Sequence, residues 1–412
     1  MMKNFLIKEL NIIKYYPILI ITLPVGLLIL IFLSIIWPFF KVRFGLINCD
    51  RIGHFAANTE LYMCNKLYNK CNALDLFYFP REVSNRQLEK MVKREIIILP
   101  KFIIRPLDLI SRKLSLFKNH RAITSSYGDY DVNNLLDKLP AQIRMNTEEI
   151  RRGKEILSEM GIAKGSKFIC LIVRDNAYVE KRWSNKGTMD YHSHRNIAIN
   201  SFRKASVELT KKGYYVLRMG SIVNSKFFFP KNNMIIDYAN SRFRSDFMDI
   251  FLMSHCYFAI STVTGLDAVS FIARKPILFV SSIPIGMYST SSKKFMNCTR
   301  NHFSIQKRSN LTTSEIFKND LAFSLDKRDF NKKKVILKNY SGEDLKKIVI
   351  EMHEYVKNNF RHKNKSDKKL NNQYWKLYKK FYNSKKKDFN FHGKLKSAYS
   401  SFFLKKYKSH LN

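Results

Sequence analysis

The apolar positions of the chain fall into short runs, each closed by glycine, hydroxyl or basic residues. The clearest case lies at residues 256–280. Residues 256–260 are aromatic and β-branched; Ser261, Thr262, Val263, Thr264 and Gly265 form a turn-like cluster; residues 266–273 have helical spacing; and residues 277–280, after Lys275 and Pro276, are apolar again. Strand, turn, helix, strand is a β-α-β crossover, the unit that builds parallel sheets. The same grammar recurs along the chain. Strands are predicted at 42–49, 74–79, 96–99, 168–173, 214–218 and 235–237. Helices are predicted at 56–70, 147–160 (capped by Thr147, stopped by Gly161), 197–212 (ended by Gly213), from Ser245, and from Ser341 to about residue 358. The fold class expected is α/β, with one domain over 42–162 and a second over 163–360.

The two ends differ from this body. Residues 15–40 carry no charge, and as continuous helix they reach roughly 39 Å against a hydrocarbon core of about 30 Å. Pro17, Pro24 and Pro38 interrupt them, so a kinked span and a re-entrant segment both stay open, and residues 1–41 are assigned as a membrane anchor. Basic residues on the C-terminal side place the body in the cytoplasm, at the inner (cytoplasmic) membrane. The tail, 361–412, holds 16 Lys plus Arg against 2 Asp. Tyr374, Trp375, Tyr378, Phe381 and Tyr382 share one helical face within it. It reads either as a basic aromatic helix lying on an anionic leaflet or as a Lys-rich tail without a role.

A formal net charge of +40 implies an anionic partner, whether nucleotide, acidic membrane or nucleic acid; a Lys-heavy compositional bias is the duller cause. The six cysteines show no CxxC pair and no framework spacing, so neither a disulfide nor a zinc site is expected. No GxGxxG, GxxxxGK[ST], HExxH or GxSxG occurs. Asp129, Tyr130 and Asp131 match the DxD pattern of metal-dependent sugar transferases, but they follow a turn-like stretch and are set aside, and no metal is expected.

The candidate chemistry gathers at the carboxyl ends of strands, where open α/β sheets bind ligands. After the first strand stand Arg51, Gly53 and His54: a cation, a glycine that permits close approach, and an imidazole able to take a proton near neutral pH. Later strand ends carry Arg174 with Asp175, and Arg218 with Gly220. Loops between them carry His192, Arg195, Arg242, Arg244 and Asp246. Arginine, in a chain whose surplus charge is mostly lysine, supplies the planar fork that clamps phosphate. Ser261, Thr262, Thr264 and Gly265 are expected to cradle a diphosphate, although an ordinary helix cap would use the same residues.

In their order, Arg51 with His54, Arg174-Asp175 with Tyr178, Tyr191-His192 with Arg195-Asn196, Arg218-Met219-Gly220, and Ser261 to Gly265 followed by Lys275-Pro276 resemble a bacterial glycosyltransferase of the GT-B type. More narrowly they are similar to a family of glycosyltransferases found with surface-polysaccharide genes, over about residues 44–284. The resemblance implies two Rossmann-like domains facing a cleft, an acceptor held by the first and a nucleotide sugar by the second. It implies no required metal or cofactor, and makes His54 the base. Where the family pattern has a more acidic residue or another serine near the turn, this chain has Val263 and Thr264. The expected function is transfer of a sugar from a nucleotide sugar to a lipid-linked or growing surface glycan at the membrane. The alternative is a membrane-tethered basic scaffold or a polyanion- or nucleic-acid-binding protein without catalysis, and nucleic acid is not the favoured partner.

Overall fold

The computed structural model describes residues 16–124, 128–175, 177, 193–385 and 392–411, with side chains from residue 22 onward. It divides into two compact units, Met1–Asp129 and Tyr130–Asn412.

The first unit runs α1 (Tyr16–Ile35), β1 (Val42–Leu46), α2 (Ile52–Tyr68), β2 (Leu74–Tyr78), α3 (Arg86–Glu95), β3 (Ile97–Ile98) and α4 (Lys101–Lys113). The three strands form a parallel sheet in the order β1-β2-β3. Residues 121–122 lie along the free edge of β1, so that a Cβ at Gly45 would come within 2.1 Å of the Ala122 carbonyl oxygen. Only glycine fits there. Arg43 and Asp75 stand opposite each other in the β1–β2 register and pair at 2.7 Å, with Lys66 on the same carboxylate at 2.6 Å. Burial disfavours the Asp75 carboxylate, but hydrogen bonds from Arg43 and Lys66 outweigh it and hold its pKa below the ordinary value.

Among the described residues no helix is long and apolar enough to cross a membrane, so the anchor expected over residues 15–40 is not supported as a span. Its described part is α1, which is tied to the first unit. Gly26 meets Pro106, Leu107 and Ile110 of α4, and the fully buried Leu30 shares a core with Val42, Phe44 and Ile104. Tyr15 and the residues before it lie outside the described residues.

The second unit is built on a seven-stranded, all-parallel sheet: β4 (Phe168–Ile172), β5 (Tyr215–Met219), β6 (Ile235–Ile236), β7 (Ala259–Ser261), β8 (Ile277–Phe279), β9 (Phe295–Asn297) and β13 (Ala398–Tyr399). Their spatial order is β13-β9-β8-β7-β4-β5-β6. From β4 the chain moves outward through β5 and β6, then returns to the other side of β4 with β7. Strand order therefore reverses between β4 and β7, the doubly wound arrangement whose crevice opens at that reversal. A small antiparallel sheet, β11-β10-β12, comprises β10 (Asn301–Ser304), β11 (Ser309–Asn310) and β12 (Val335–Lys338), none of it expected from the sequence.

Two expected boundaries move. Helix α5 (Thr147–Glu159), assigned above to the first domain, belongs to the second unit: Gly153 packs so closely on Phe251 that a Cβ would sit 2.1 Å from the ring. Its cap is Asn146, in a reciprocal pair with Glu149, and not Thr147. The tail is no separate segment. Helix α10 (Lys365–Lys385) turns Tyr374, Trp375, Tyr378 and Tyr382 into the core, where Trp375 donates to the Ser397 carbonyl (2.8 Å) and Tyr378 to that of Ile285 (3.0 Å). Beyond it β13 pairs with β9 as the sheet's last strand. The aromatic face, read above either as lipid-facing or as part of a tail without a role, meets protein.

Candidate functional site

At the reversal point the ends of β4 and β7 are laced together: the backbone N–H of Arg174 donates to Thr262 Oγ1 at 2.7 Å. The turn that follows β7 is held together by Asp267. Ser261 Oγ donates to Asp267 Oδ2 (2.6 Å) and accepts from the Val263 N–H (3.0 Å), while the Thr264 N–H also reaches Asp267 Oδ2 (2.9 Å). Asp267 opens a helix of only six residues, Asp267–Ile272, and its carboxylate stands where the diphosphate was expected. The Ser or Thr cap that the sequence offered as the alternative is not formed: Leu266 stands at the cap position without a side-chain hydrogen bond, and Thr264 Oγ1 is buried without a partner. Gly265 is exposed. Val263 holds a left-handed backbone, φ 61°, which for a β-branched residue stores on the order of 1–3 kcal/mol. That conformation presents its carbonyl oxygen to Arg195 Nη2 at 3.3 Å.

Five arginines were expected to share this rim, and the structure sorts them. Arg218, at the end of β5 and 1% exposed, lies 3.2 Å from Asp237 and 3.9 Å from Asp175. Asp175 in turn accepts from the Ala177 and Asn224 N–H groups, and Asp237 from those of Phe227 and the Asn240 amide. Arg218 is therefore a strut between the ends of β4, β5 and β6, its fork turned to carboxylates; the expectation of a donor clamp there is corrected. Gly220 next to it has φ 148° and passes close to Val223, which explains the glycine without a ligand. Arg244 is held by Asp249 (3.0 Å) and Asp246 (3.6 Å) at the start of α7 (Asp246–His255). Burial pushes Asp249 up to about 6, against the pull of Arg244 and of the Tyr238 hydroxyl 2.8 Å away. Arg242 is exposed and lies over the Phe243 ring.

Arg195 is different. Burial, then its neighbours Arg174 and Arg300, push its pKa down to about 9, and Asp267 offsets only part of this. Arg300, which sequence reasoning missed, is 2% exposed and follows β9. Its hydrogen bonds go to neutral oxygens, the Asn339 amide at 2.9 Å and the His194 carbonyl, and burial pushes its pKa down to about 10. Among the described residues neither Arg195 nor Arg300 has a carboxylate within 4 Å, and Arg300 Nε is buried without a hydrogen-bond partner. The signal for Arg300 was faint: the strand before it is three residues long, and Asn297 interrupts the apolar residues Phe295, Met296 and Cys298.

His302 stands two residues beyond Arg300, fully buried, with Nδ1 3.0 Å from the Arg300 carbonyl and Nε2 without a partner; burial, then His410 and the arginine, push it down to about 3. His194 and His302 both lie against the Phe330 ring. In the first unit, His54 is half-buried in the first turn of α2, and the exposed Arg51 is the residue before that helix. His192, with Tyr178 and Tyr191, lies outside the described residues. Asp131, from the motif set aside above, spends both carboxylate oxygens on the N–H groups of Leu135 and Leu136. Among the described residues no cluster of three or more His, Cys, Asp or Glu is placed to hold a metal ion.

No protein-family model and no curated protein matches the chain. Solved structures do. ADP-heptose lps heptosyltransferase II of E. coli is 14% identical over 59% of this chain and 86% of its own, with a TM-score of 0.30. The family 9 glycosyl transferase of Veillonella parvula DSM 2008 is 12% identical over 60% and 82%, TM-score 0.34. The iron-containing dodecameric glycosyltransferase TibC of enterotoxigenic E. coli H10407 is 11% identical over 77% and 78%, TM-score 0.37. At scores this low the likenesses carry no argument about this chain.

Proposed function

We propose that the protein is a glycosyltransferase that takes a sugar from a nucleoside-diphosphate donor and passes it, without a metal ion, to a lipid-linked or growing glycan at a membrane surface. One observation carries the reading: among the described residues the partly buried Arg195, with Arg174 and Arg300 for neighbours, and the buried Arg300 have no carboxylate within 4 Å, beside the reversal point of a doubly wound sheet. Burying an uncompensated cation is costly, so such a pair is complementary to an anion that arrives with the substrate. A diphosphate suits it best, because two or three planar forks can engage its oxygens at once.

In the reaction proposed, the acceptor hydroxyl oxygen bonds to the anomeric carbon as the bond from that carbon to the diphosphate oxygen breaks. The electron pair leaves with the diphosphate, where the guanidinium groups meet its charge in a site of low dielectric. The acceptor's proton passes to a base, for which His54 is the candidate on the two-domain reading. Arg51, Arg242, Asp175 and Asp246 receive no role in this scheme, and Arg218 holds the sheet rather than the donor.

A thermal-shift panel of nucleoside mono- and diphosphates tests the binding step. Selective stabilisation by one diphosphate, lost in Arg300→Met, is expected; equal stabilisation by any polyanion, fading steeply with salt, would instead favour a charge-driven binder. Turnover of the hit's nucleotide sugar in EDTA tests the metal-free step. His54→Ala should slow that turnover by about 10²- to 10⁴-fold, and a rate within about threefold of the parent removes His54 as base.

A further inference from the structure

The inward side of α1 is accounted for by α4; the outward side is not. Val25, Leu28, Phe32 and Ile35, spaced three and four apart, form an exposed apolar stripe along α1, with Leu28 68% and Ile35 70% exposed. Phe39 continues it at 91%. The helix beneath joins in: Phe102 and Ile103 of α4 are 62% and 46% exposed, and Leu116, in the turn after α4, is 79% exposed. One packed helix pair thus turns a run of large apolar side chains outward on both members, more than scattered surface hydrophobics would give.

The charges around it all but share one sign. Between residues 100 and 121 stand Lys101, Arg105, Arg112, Lys113, Lys118 and Arg121 against the single acid Asp108, which is buried and spent on Arg112 (2.7 Å) and Tyr78 (3.2 Å). Lys41, just past Phe39, is exposed and basic as well. A second copy of this face would bring like charges together, which disfavours self-association through it. An anionic lipid surface meets both properties: hydrocarbon for the stripe, headgroups for the fringe.

We propose that the first unit docks on an anionic leaflet through α1, α4 and the turn at Leu116, lying in the interface of one leaflet with the inner face of α1 still packed on the protein. The proposal stands on exposure and charge, independently of the glycosyl-transfer reading, and vesicle binding needs no nucleotide, so the two fail separately. The test is flotation of the full chain with vesicles of phosphatidylcholine, with and without phosphatidylglycerol. Binding should require the anionic lipid, fall with salt, and be released by an alkaline carbonate wash. The pair Phe102→Asp with Ile103→Asp, both on the exposed side of α4, should weaken partitioning at least about tenfold with the melting temperature unchanged. Leu116→Asp gives a second, independent reading should the pair fail to fold. Flotation unaffected by these changes, resistance to carbonate, or no flotation at all would overturn it. So would self-association in the absence of lipid that the same variants abolish.

Discussion

Arg218 and Arg300 are both buried arginines at the carboxyl ends of strands in one parallel sheet, and they are opposites. Arg218 is flanked by two carboxylates that are themselves tethered to backbone N–H groups. Arg300 is hydrogen-bonded to the Asn339 amide oxygen and the His194 carbonyl, has the Tyr340 phenol for a neighbour, and among the described residues has no carboxylate within 4 Å. The first has its charge matched by carboxylates and ties three strands together, although its Nε, like that of Arg300, is buried without a partner. The second has no such match among the described residues, and the missing charge is the reason to look for a ligand there. Residue type and burial are the same in both, with Arg218 inside β5 and Arg300 between β9 and β10; what separates them is their partners, carboxylates for the first and neutral oxygens for the second.

The widest separation is expected in stability. Arg218→Met leaves the Asp175 and Asp237 carboxylates uncompensated and should cost about 3–5 kcal/mol in urea unfolding. Arg300→Met removes a charge that no described carboxylate neutralises, and its stability should stay within about 1 kcal/mol of the parent. Equal losses in the two would erase the distinction. Next comes turnover, where the ranking reverses: Arg300→Met should lower kcat by about 10²- to 10³-fold, as removal of one preorganised charge-stabilising donor does.

A smaller effect sharpens the comparison through pH. His302 has its folded pKa pushed down to about 3, against an ordinary value near 6.5. Its neutral form is the native one, so its contribution is full above pH 6.5 and is lost as pH falls from there towards 3, by at most about 1.4 kcal/mol per pH unit. His302→Asn should flatten the acid side of the stability curve in that window. The Asp75 cluster behaves differently: its contribution is full above the unfolded carboxylate pKa of about 4 and drains as pH falls through the depressed folded value, so Asp75→Asn should destabilise the protein most above about pH 4 and lose its effect as pH falls below it. The smallest effect concerns the turn that supports Arg195. Val263→Gly relieves a left-handed β-branched residue and should stabilise the protein by about 1 kcal/mol, net of glycine's entropy. Because the carbonyl, not the side chain, holds Arg195, nucleotide affinity should change less than about threefold.

The sheet was legible because buried parallel strands are written as short apolar runs: residues 168–173 and 277–280 were read to within about a residue of β4 and β8. Local capping was legible too, as at Ser245 and Ser341, whose hydroxyls accept from Met248 and Asp344. What failed depended on partners far along the chain. Helix α5 has its own cap and amphipathic face, but only Phe251, meeting Gly153, says which unit owns it. The aromatic side of α10 was identified correctly as one face, yet a helical period is the same whether lipid or protein covers it. At the site, Arg195 was found by its position in a loop, and Arg300 was not, because the three-residue strand before it was too short to register. Ser261 and Thr264 were expected to grip a ligand; Asp267, three residues past Thr264, takes the Ser261 hydroxyl and the Thr264 N–H, while the Thr264 hydroxyl is left without a partner.

The placing of β13 has a consequence for biosynthesis. Because the outermost strand of the larger sheet is drawn from residues 398–399, about a hundred residues after β9, β9 stays an open edge until residues 398–399 have been translated. An unpaired edge on a nascent chain is a template for intermolecular pairing. Premature termination or C-terminal clipping ahead of Ala398 would thus yield a product that aggregates rather than one that merely lacks a tail.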